Sequence, residues 1–536
     1  MAGSRSADAR DFDAVDVVIV GGGHNGLVAA GYLARAGLRV RLLERLGHVG
    51  GAAVSADAFD GVEVRLSRYS YLVSLLPPRI VDDLGAAVRL ARRPFSSYTP
   101  DPGTAGRTGL LVGSHGAPAF AAIGAPGDER GFAEFYRRCR LVTDKLWPTL
   151  LEPLLSREQA RRRVAEAEGP DAAAAWHALI DEPIGHAIAD AVGNDLVRGV
   201  IATDALIGTF ARLDDPSLRQ NICFLYHVLG GDWNVPVGGM GSVTAALAAA
   251  AVGHGAEITT GADVYAVDPD GEVRYRSGGD EHRIRGRFVL AGVTPAVLAG
   301  LLGERPPPLA PGSQVKVNMV LRRLPHLHDK SVTPEQAFAG TFHVNETWPQ
   351  LDTAYSQAAA GQLPNPLPCE AYCHSLTDPS ILSAALRDSG AHTMTVFGLH
   401  TPHSLVTELD TQRLTESVLA SLNSVLAEPI QDVLLTDAHG RPCIETTTTA
   451  DLQNTLRMTE GNIFHGALSW PFAEDDDPLD TPARQWGAAT GHERIMLCGS
   501  GARRGGAVSG IGGHNAAMAV LASLASRRKL PRKLPF

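Results

Sequence analysis

The run Val17-Val18-Ile19-Val20-Gly21-Gly22-Gly23-His24-Asn25-Gly26 sets glycines at a Gly-x-Gly-x-x-Gly spacing, between an apolar strand and a helix rich in Ala and Leu. This context predicts a turn that holds phosphate. Gly21 permits the tight turn, Gly23 lets backbone approach a pyrophosphate, and Gly26 lets the helix pack close to the strand. The phosphates then meet the helix N-terminus, where free N–H groups and the helix dipole favour negative charge. Glu44 ends the next apolar strand, residues 40–43, close to the separation of about 20 residues at which a carboxylate binds an adenosine ribose. Such a carboxylate repels a 2′-phosphate, which disfavours NADP and leaves FAD and NAD.

Further segments suit the same ligand. Arg45 and a second glycine pair, Gly50-Gly51, with Ala52, follow Glu44. Leu497-Cys498-Gly499-Ser500-Gly501 and residues 505–517 read as a strand ending at Cys498, a loop carrying Gly506 and Ser509, and a helix beginning near Gly510 and Ile511. That helix directs N–H groups and a positive dipole end at an anion. His465, within residues 461–466, and His514, at the start of the C-terminal helix, are the candidate proton shuttles.

Residues 21–30 and 50–53 resemble the phytoene-desaturase-related FAD oxidoreductases. Within that family, Ser67-Arg68-Tyr69-Ser70-Tyr71-Leu72, Gly461-Asn462-Ile463-Phe464-His465-Gly466 and the C-terminal glycine-rich segment are most similar to the branch of pyridine nucleotide-disulphide oxidoreductase domain-containing protein 2. The likeness covers nearly the whole chain. It implies an α/β fold: a discontinuous Rossmann FAD-binding domain of the glutathione-reductase type, with an inserted mixed α+β substrate domain. It also implies FAD as cofactor, bound by Gly21, Gly23, His24, Asn25, Gly26, Glu44, Arg45, Gly50, Gly51, Ala52, Val264, Gly499, Ser500, Gly506, Ser509, Gly510 and Ile511. In the family the backbone at the Val264 position meets the adenine, and the C-terminal helix faces the flavin ring.

Two departures limit the carry-over. Carotenoid desaturases usually place Arg directly after the second glycine pair and an Asp-x-Gly-Pro stretch soon after; here stand Ala52 and Arg65-Leu66-Ser67-Arg68, so a phytoene substrate is not implied. Disulfide chemistry needs two redox cysteines in a short pair, and none exists. Cys369 and Cys373, at helical spacing, are read as buried small side chains. A flavin accepts hydride without an obligatory protein acid or base. The expected activity is therefore an FAD-dependent dehydrogenase or oxidase that takes a hydride from a C–H bond of a hydrophobic small molecule. A polyene desaturase, or a flavin-bound regulatory or assembly protein without turnover, is the alternative. Only one Gly-x-Gly-x-x-Gly is flanked by strand and helix, so oxygen, a quinone or another acceptor is expected to reoxidise the flavin rather than NAD(P).

The elements that must position these groups come from a chain of 536 residues, 44% apolar and 20% charged, sized for two domains with substantial cores. Residues 12–66, 230–300 and 458–526 are expected to form the FAD-binding domain, and residues 67–229 and 301–457 the substrate domain. The first insertion reads mostly as helices, including residues 128–151 and 156–179; the second contains apolar strands at 315–321 and 393–398. A formal charge of -10 disfavours nucleic acid as a partner. Six scattered cysteines suit a cytoplasmic setting, and no apolar run approaches the 18 or so residues that cross a bilayer.

Residues 1–11 and 527–536 are read as flexible termini, the second with peripheral membrane contact as its alternative. Pro402 between His400 and His403 disfavours a zinc site, and no other metal is expected. Glu474-Asp475-Asp476-Asp477 is read as a solvated acidic loop. Arg65 and Arg68 are candidates either for a substrate carboxylate or flavin phosphate, or for structural ion pairs.

Overall fold

The computed structural model describes residues 13–113 and 119–529. The expected leader, residues 1–11, and the end of the basic tail, residues 530–536, lie outside the described residues.

Strand Asp13–Val20 is buried on both faces, with Val17, Val18 and Ile19 wholly enclosed, as a central parallel strand requires. Val40–Leu43 and Asp280–Ala291 flank it in parallel, and Glu257–Thr259 and Ile495–Leu497 extend the parallel set at either side. Asp263–Val267 and Glu272–Ser277 complete this seven-stranded sheet as an antiparallel meander on Asp280–Ala291. Stretches distant in sequence thus share one sheet.

Helix His24–Arg35 packs against the C-terminal helix Ile511–Lys529. The two backbones nearly touch: a Cβ on Gly513 would stand 1.9 Å from the Asn25 carbonyl oxygen, and one on Gly510 would stand 2.9 Å from Val28 Cγ2. Gly513→Ala is therefore expected to push the helices apart and to cost about 1–3 kcal/mol of stability. Urea unfolding checks this; an unchanged midpoint would show that the helices separate without cost.

The second sheet runs Ile444–Thr447, Gln314–Leu321, His392–Leu399, Cys369–Tyr372, Thr341–Val344, Phe95–Pro100 and Gly109–Gly113. It is antiparallel except where Thr341–Val344 lies beside Phe95–Pro100. Its last two strands come from the first insertion, which the sequence reading takes as mostly helical. Ser97 and Thr99 are buried there, so the strand carries no apolar alternation that would reveal it.

Helices of the first insertion form a layer that shares one apolar core with the Rossmann helices. The helix expected over 128–151 is α-helical from Asp128 to Leu146 and tightens into a 3₁₀ turn at Trp147–Leu151, where Pro148 cannot continue the ladder. The helix expected over 156–179 starts with a capping box of Ser156 and Gln159 and breaks at Gly169, whose φ is 67°, ahead of Pro170.

Two smaller readings are corrected. Cys369 sits on a strand and Cys373 just beyond it, so their spacing reflects no helix, although both are buried free thiols. The acidic run is exposed at Asp475 and Asp476, as a solvated loop would be, but it is also tied down: Glu474 lies 3.5 Å from Arg157, Asp475 accepts the Glu158 N–H at 2.9 Å, and Asp477 pairs with Arg503 at 3.0 Å. Neighbouring arginines and an open helix N-terminus supply its partners. Among the described residues, no helix is long and apolar enough to cross a membrane.

Candidate active site

A cavity of about 760 Å³ begins at the turn after the first strand and reaches between the helical layer and the second sheet. Gly21, Gly23, His24, Asn25 and Gly26 line its near end. Gly21 has a φ of 102°, and a Cβ on Gly26 would stand 2.2 Å from the Gly21 carbonyl oxygen, so helix and strand approach as closely as the spacing predicts. A Cβ on Gly23 would meet no protein atom within 4 Å.

Glu44 also lines the cavity, and its carboxylate does something the spacing does not reveal. Its Oε2 accepts the Gly22 N–H at 2.7 Å and its Oε1 accepts the Leu46 N–H at 2.8 Å, so it braces the glycine turn. Arg45 donates to the Thr455 carbonyl oxygen. The second glycine pair rests on the first: the Gly50 N–H donates to the Gly22 carbonyl oxygen at 2.8 Å, and a Cβ on Gly51 would lie 3.2 Å from Gly23 Cα.

Ala52, Val264, Gly499 and Ser500 reach the same cavity, and Asn25 Nδ2 donates to Ser500 Oγ at 3.5 Å. The amino- and carboxy-terminal glycine segments therefore converge on one space. Gly50, Gly506, Ser509, Gly510 and Ile511 stand behind this wall. Ser509 Oγ accepts the Ile511 N–H at 3.2 Å and opens the C-terminal helix.

The two candidate histidines part company. His465 lines the cavity, where burial lowers its pKa to about 4. His514 does not. Its Nδ1 pairs with Asn515 Oδ1 at 2.8 Å and its ring packs edge-on against Tyr32, so a proton-shuttle role for it is withdrawn. Arg68 forms an ion pair with Glu445 at 2.8 Å, and Arg65 is exposed.

His24 Nε2, Asn25 Oδ1 and His465 Nδ1 are buried polar atoms without hydrogen-bond partners, gathered at the glycine-lined end. Buried polar atoms are seldom left so. With burial and His465 holding the His24 pKa near 4, both imidazoles are neutral and offer hydrogen bonds rather than charge. These orphans, the open face at Gly23 and the braced turn fit the phosphates and polar edges of a dinucleotide.

The second sheet floors the rest of the cavity. Thr447, Lys316, Phe397, Glu370 and His343 stand opposite one another in successive strands, and all five line the space. Register alone makes this row. Lys316 is 4% exposed, its Nζ donates to the Ser67 carbonyl oxygen at 2.7 Å, and burial brings its pKa down to about 7. Sequence reasoning missed it, though one signal was available: a lysine in the otherwise largely apolar strand QVKVNMVL. Tyr71, Tyr372 and Phe397 form an aromatic cluster beside the amine, with Tyr71 and Tyr372 centroids 4.1 Å apart. Asp204 and His227, paired at 3.1 Å, face the cavity from the helical layer.

Residues 19–78 match the family described as NAD(P)-binding Rossmann-like domain. The chain is 77% identical over 533 residues to "Uncharacterized protein Rv0897c" of Mycobacterium tuberculosis, covering 97% of this chain and 99% of that one. It is 30% identical over an alignment of 571 residues to pyridine nucleotide-disulfide oxidoreductase domain-containing protein 2 of Mus musculus, covering 95% and 94%. Cyclohexylamine oxidase from Brevibacterium oxydans shares the fold, with a TM-score of 0.55 at 15% identity over 96% of this chain and all of that one.

Rossmann sheet, glycine cradle and the cavity they open into together define a dinucleotide-binding protein of the Rossmann class. The chain belongs to the family of pyridine nucleotide-disulfide oxidoreductase domain-containing protein 2, the branch that its motifs resemble.

Proposed function

We propose that the chain is a dehydrogenase or oxidase that removes a hydride from a C–H bond of a hydrophobic small molecule bound over the second sheet. The carrying observation is the continuity of one cavity from the glycine cradle to an aromatic-lined chamber holding a single buried lysine amine. Bound FAD supplies the hydride-accepting chemistry. Gly21, Gly23, Asn25, Gly26, Gly51, Ala52, Val264, Gly499 and Ser500 would hold it along the cavity wall, with Glu44 bracing the turn. The meander of Asp263–Val267 and Glu272–Ser277 supports a Rossmann domain of the glutathione-reductase type. Membership of the two sheets supports the division into residues 12–66, 230–300 and 458–526 against 67–229 and 301–457.

Tyr71, Tyr372 and Phe397 orient an apolar substrate and exclude water. Lys316 Nζ, neutral above about pH 7, accepts the proton of a substrate N–H or O–H whose neighbouring C–H loses the hydride. The test is anaerobic mixing of the yellow protein with apolar alcohols, amines and unsaturated hydrocarbons. Saturable bleaching of the visible flavin band by one class supports the reading. Intact flavin with every class would favour a protein without turnover.

Glu44→Gln presents an amide NH₂ toward one of the two backbone N–H groups that the carboxylate now accepts. The expected result is an FAD Kd weakened by about 10- to 100-fold, equivalent to about 1.4–2.8 kcal/mol. Fluorescence titration of the apoprotein measures it; an unchanged Kd would remove Glu44 from the cradle.

A further inference from the structure

His343, Glu346 and Glu370 form a buried group that the oxidation above does not use. Cross-strand register sets His343 directly opposite Glu370. Asn345, with a φ of 56°, then turns the chain so that Glu346 folds back on His343. His343 Nδ1 lies 2.6 Å from Glu346 Oε2 and 3.8 Å from Glu370 Oε1, and one donor atom from each residue falls within 4.8 Å of the others. Thr203 Oγ1 joins them, donating to Glu370 Oε1 at 3.1 Å, and Tyr372 donates to the other oxygen at 2.5 Å.

The Glu346 side chain has no exposure, yet its Oε1 has no hydrogen-bond partner. Among the described residues, no Lys or Arg ion-pairs with either glutamate; the imidazole is their one basic neighbour within 4 Å. Two carboxylates enclosed this closely are costly unless a cation or a proton compensates them.

We propose that His343, Glu346 and Glu370 bind a divalent metal ion of the Mn²⁺, Fe²⁺ or Zn²⁺ class. Two carboxylate donors and one imidazole suit these borderline ions better than Ca²⁺ or Mg²⁺, which take oxygen ligands. A dication with two carboxylates and a neutral imidazole carries no net charge, which removes the penalty of burying the acids. His343 and Glu370 line the cavity while Glu346 stands behind them, so the ion enters through the cavity and keeps its remaining coordination positions toward it.

The test uses the full-length flavoprotein, freed of metal by chelator and titrated with Mn²⁺, the free ion being counted by electron paramagnetic resonance. About one Mn²⁺ per chain is expected, with ¹⁴N coupling from one imidazole and affinity lowered at least about 10-fold in Glu346→Gln and in His343→Gln. Asp475→Asn, an exposed acidic control, should bind as the wild type does. No binding of Mn²⁺, Fe²⁺ or Zn²⁺ by the wild type overturns the proposal and leaves a shared proton between the carboxyls. Equal affinity in the variants, or bound Mn²⁺ without nitrogen coupling, overturns it as well. Should a variant fail to fold, stoichiometry and nitrogen coupling in the wild type decide.

Discussion

Gly23→Val should yield a folded, colourless protein. Gly23 has a φ of -68° and a ψ of 170°, a conformation that valine adopts without strain, and nothing in the protein lies where its Cβ would go. The new side chain fills the face of the turn at which backbone must approach pyrophosphate. The melting temperature of the apoprotein is expected to stay within about 2 °C of the wild-type apoprotein. Flavin content after reconstitution should fall below about one tenth, a loss of more than about 1.4 kcal/mol in binding. Gly26 provides the contrast: its Cβ would meet backbone at 2.2 Å, so substitution there damages the fold before it reaches the ligand. Stoichiometric FAD in Gly23→Val would mean that the cofactor is seated elsewhere.

Lys316→Met should keep the flavin and slow its reduction by substrate by about 10²- to 10⁴-fold, the usual contribution of a positioned proton acceptor. Burial lowers the Lys316 pKa from 10.5 to about 7. Below that value the amine is protonated and cannot accept a proton, so the rate of anaerobic flavin reduction should climb with pH through about 7 and then level off. The groups around it are the Ser67 carbonyl, the Tyr71 and Phe397 rings, and the Arg68–Glu445 ion pair. Glu445 raises the Lys316 pKa, Arg68 lowers it, and burial outweighs both. The methionine variant should lose the step near pH 7, whereas a purely structural lysine would leave it in place.

The same shift bears on stability. An unfolded chain keeps the lysine proton to about 10.4, so between about 7 and 10.4 the unfolded state binds more protons than the folded one. This residue's contribution to stability therefore grows as pH rises across that window, and Lys316→Met should flatten that part of the profile.

Sequence periodicity and glycine chemistry were enough for the nucleotide end of the site. Residues 17–26 announce strand, turn and helix within ten positions, since a close backbone approach can be made only by glycine, and the structure places Gly21, Gly23 and Gly26 accordingly. Glu44 was legible as an acid at the right distance, but its two backbone partners were not, because they depend on how the loop returns. His514 failed for a related reason: helix position gives the angle of a side chain only once the packing face is known, and that face meets Tyr32.

The substrate end was hidden. Thr447, Lys316, Phe397, Glu370 and His343 are scattered over more than a hundred positions and share no motif. What unites them is strand register, and a shift of one residue would turn each side chain to the opposite face. Local sequence reveals the strands that carry apolar spacing and the turns that bind phosphate, because φ/ψ preference and apolar spacing act over a few residues; Phe95–Pro100, without that spacing, stayed hidden. Which side chains meet over the sheet depends on long-range pairing and on burial. Only the folded chain decides that, and burial is also what lowers the pKa of a lysine that would otherwise be an ordinary surface cation.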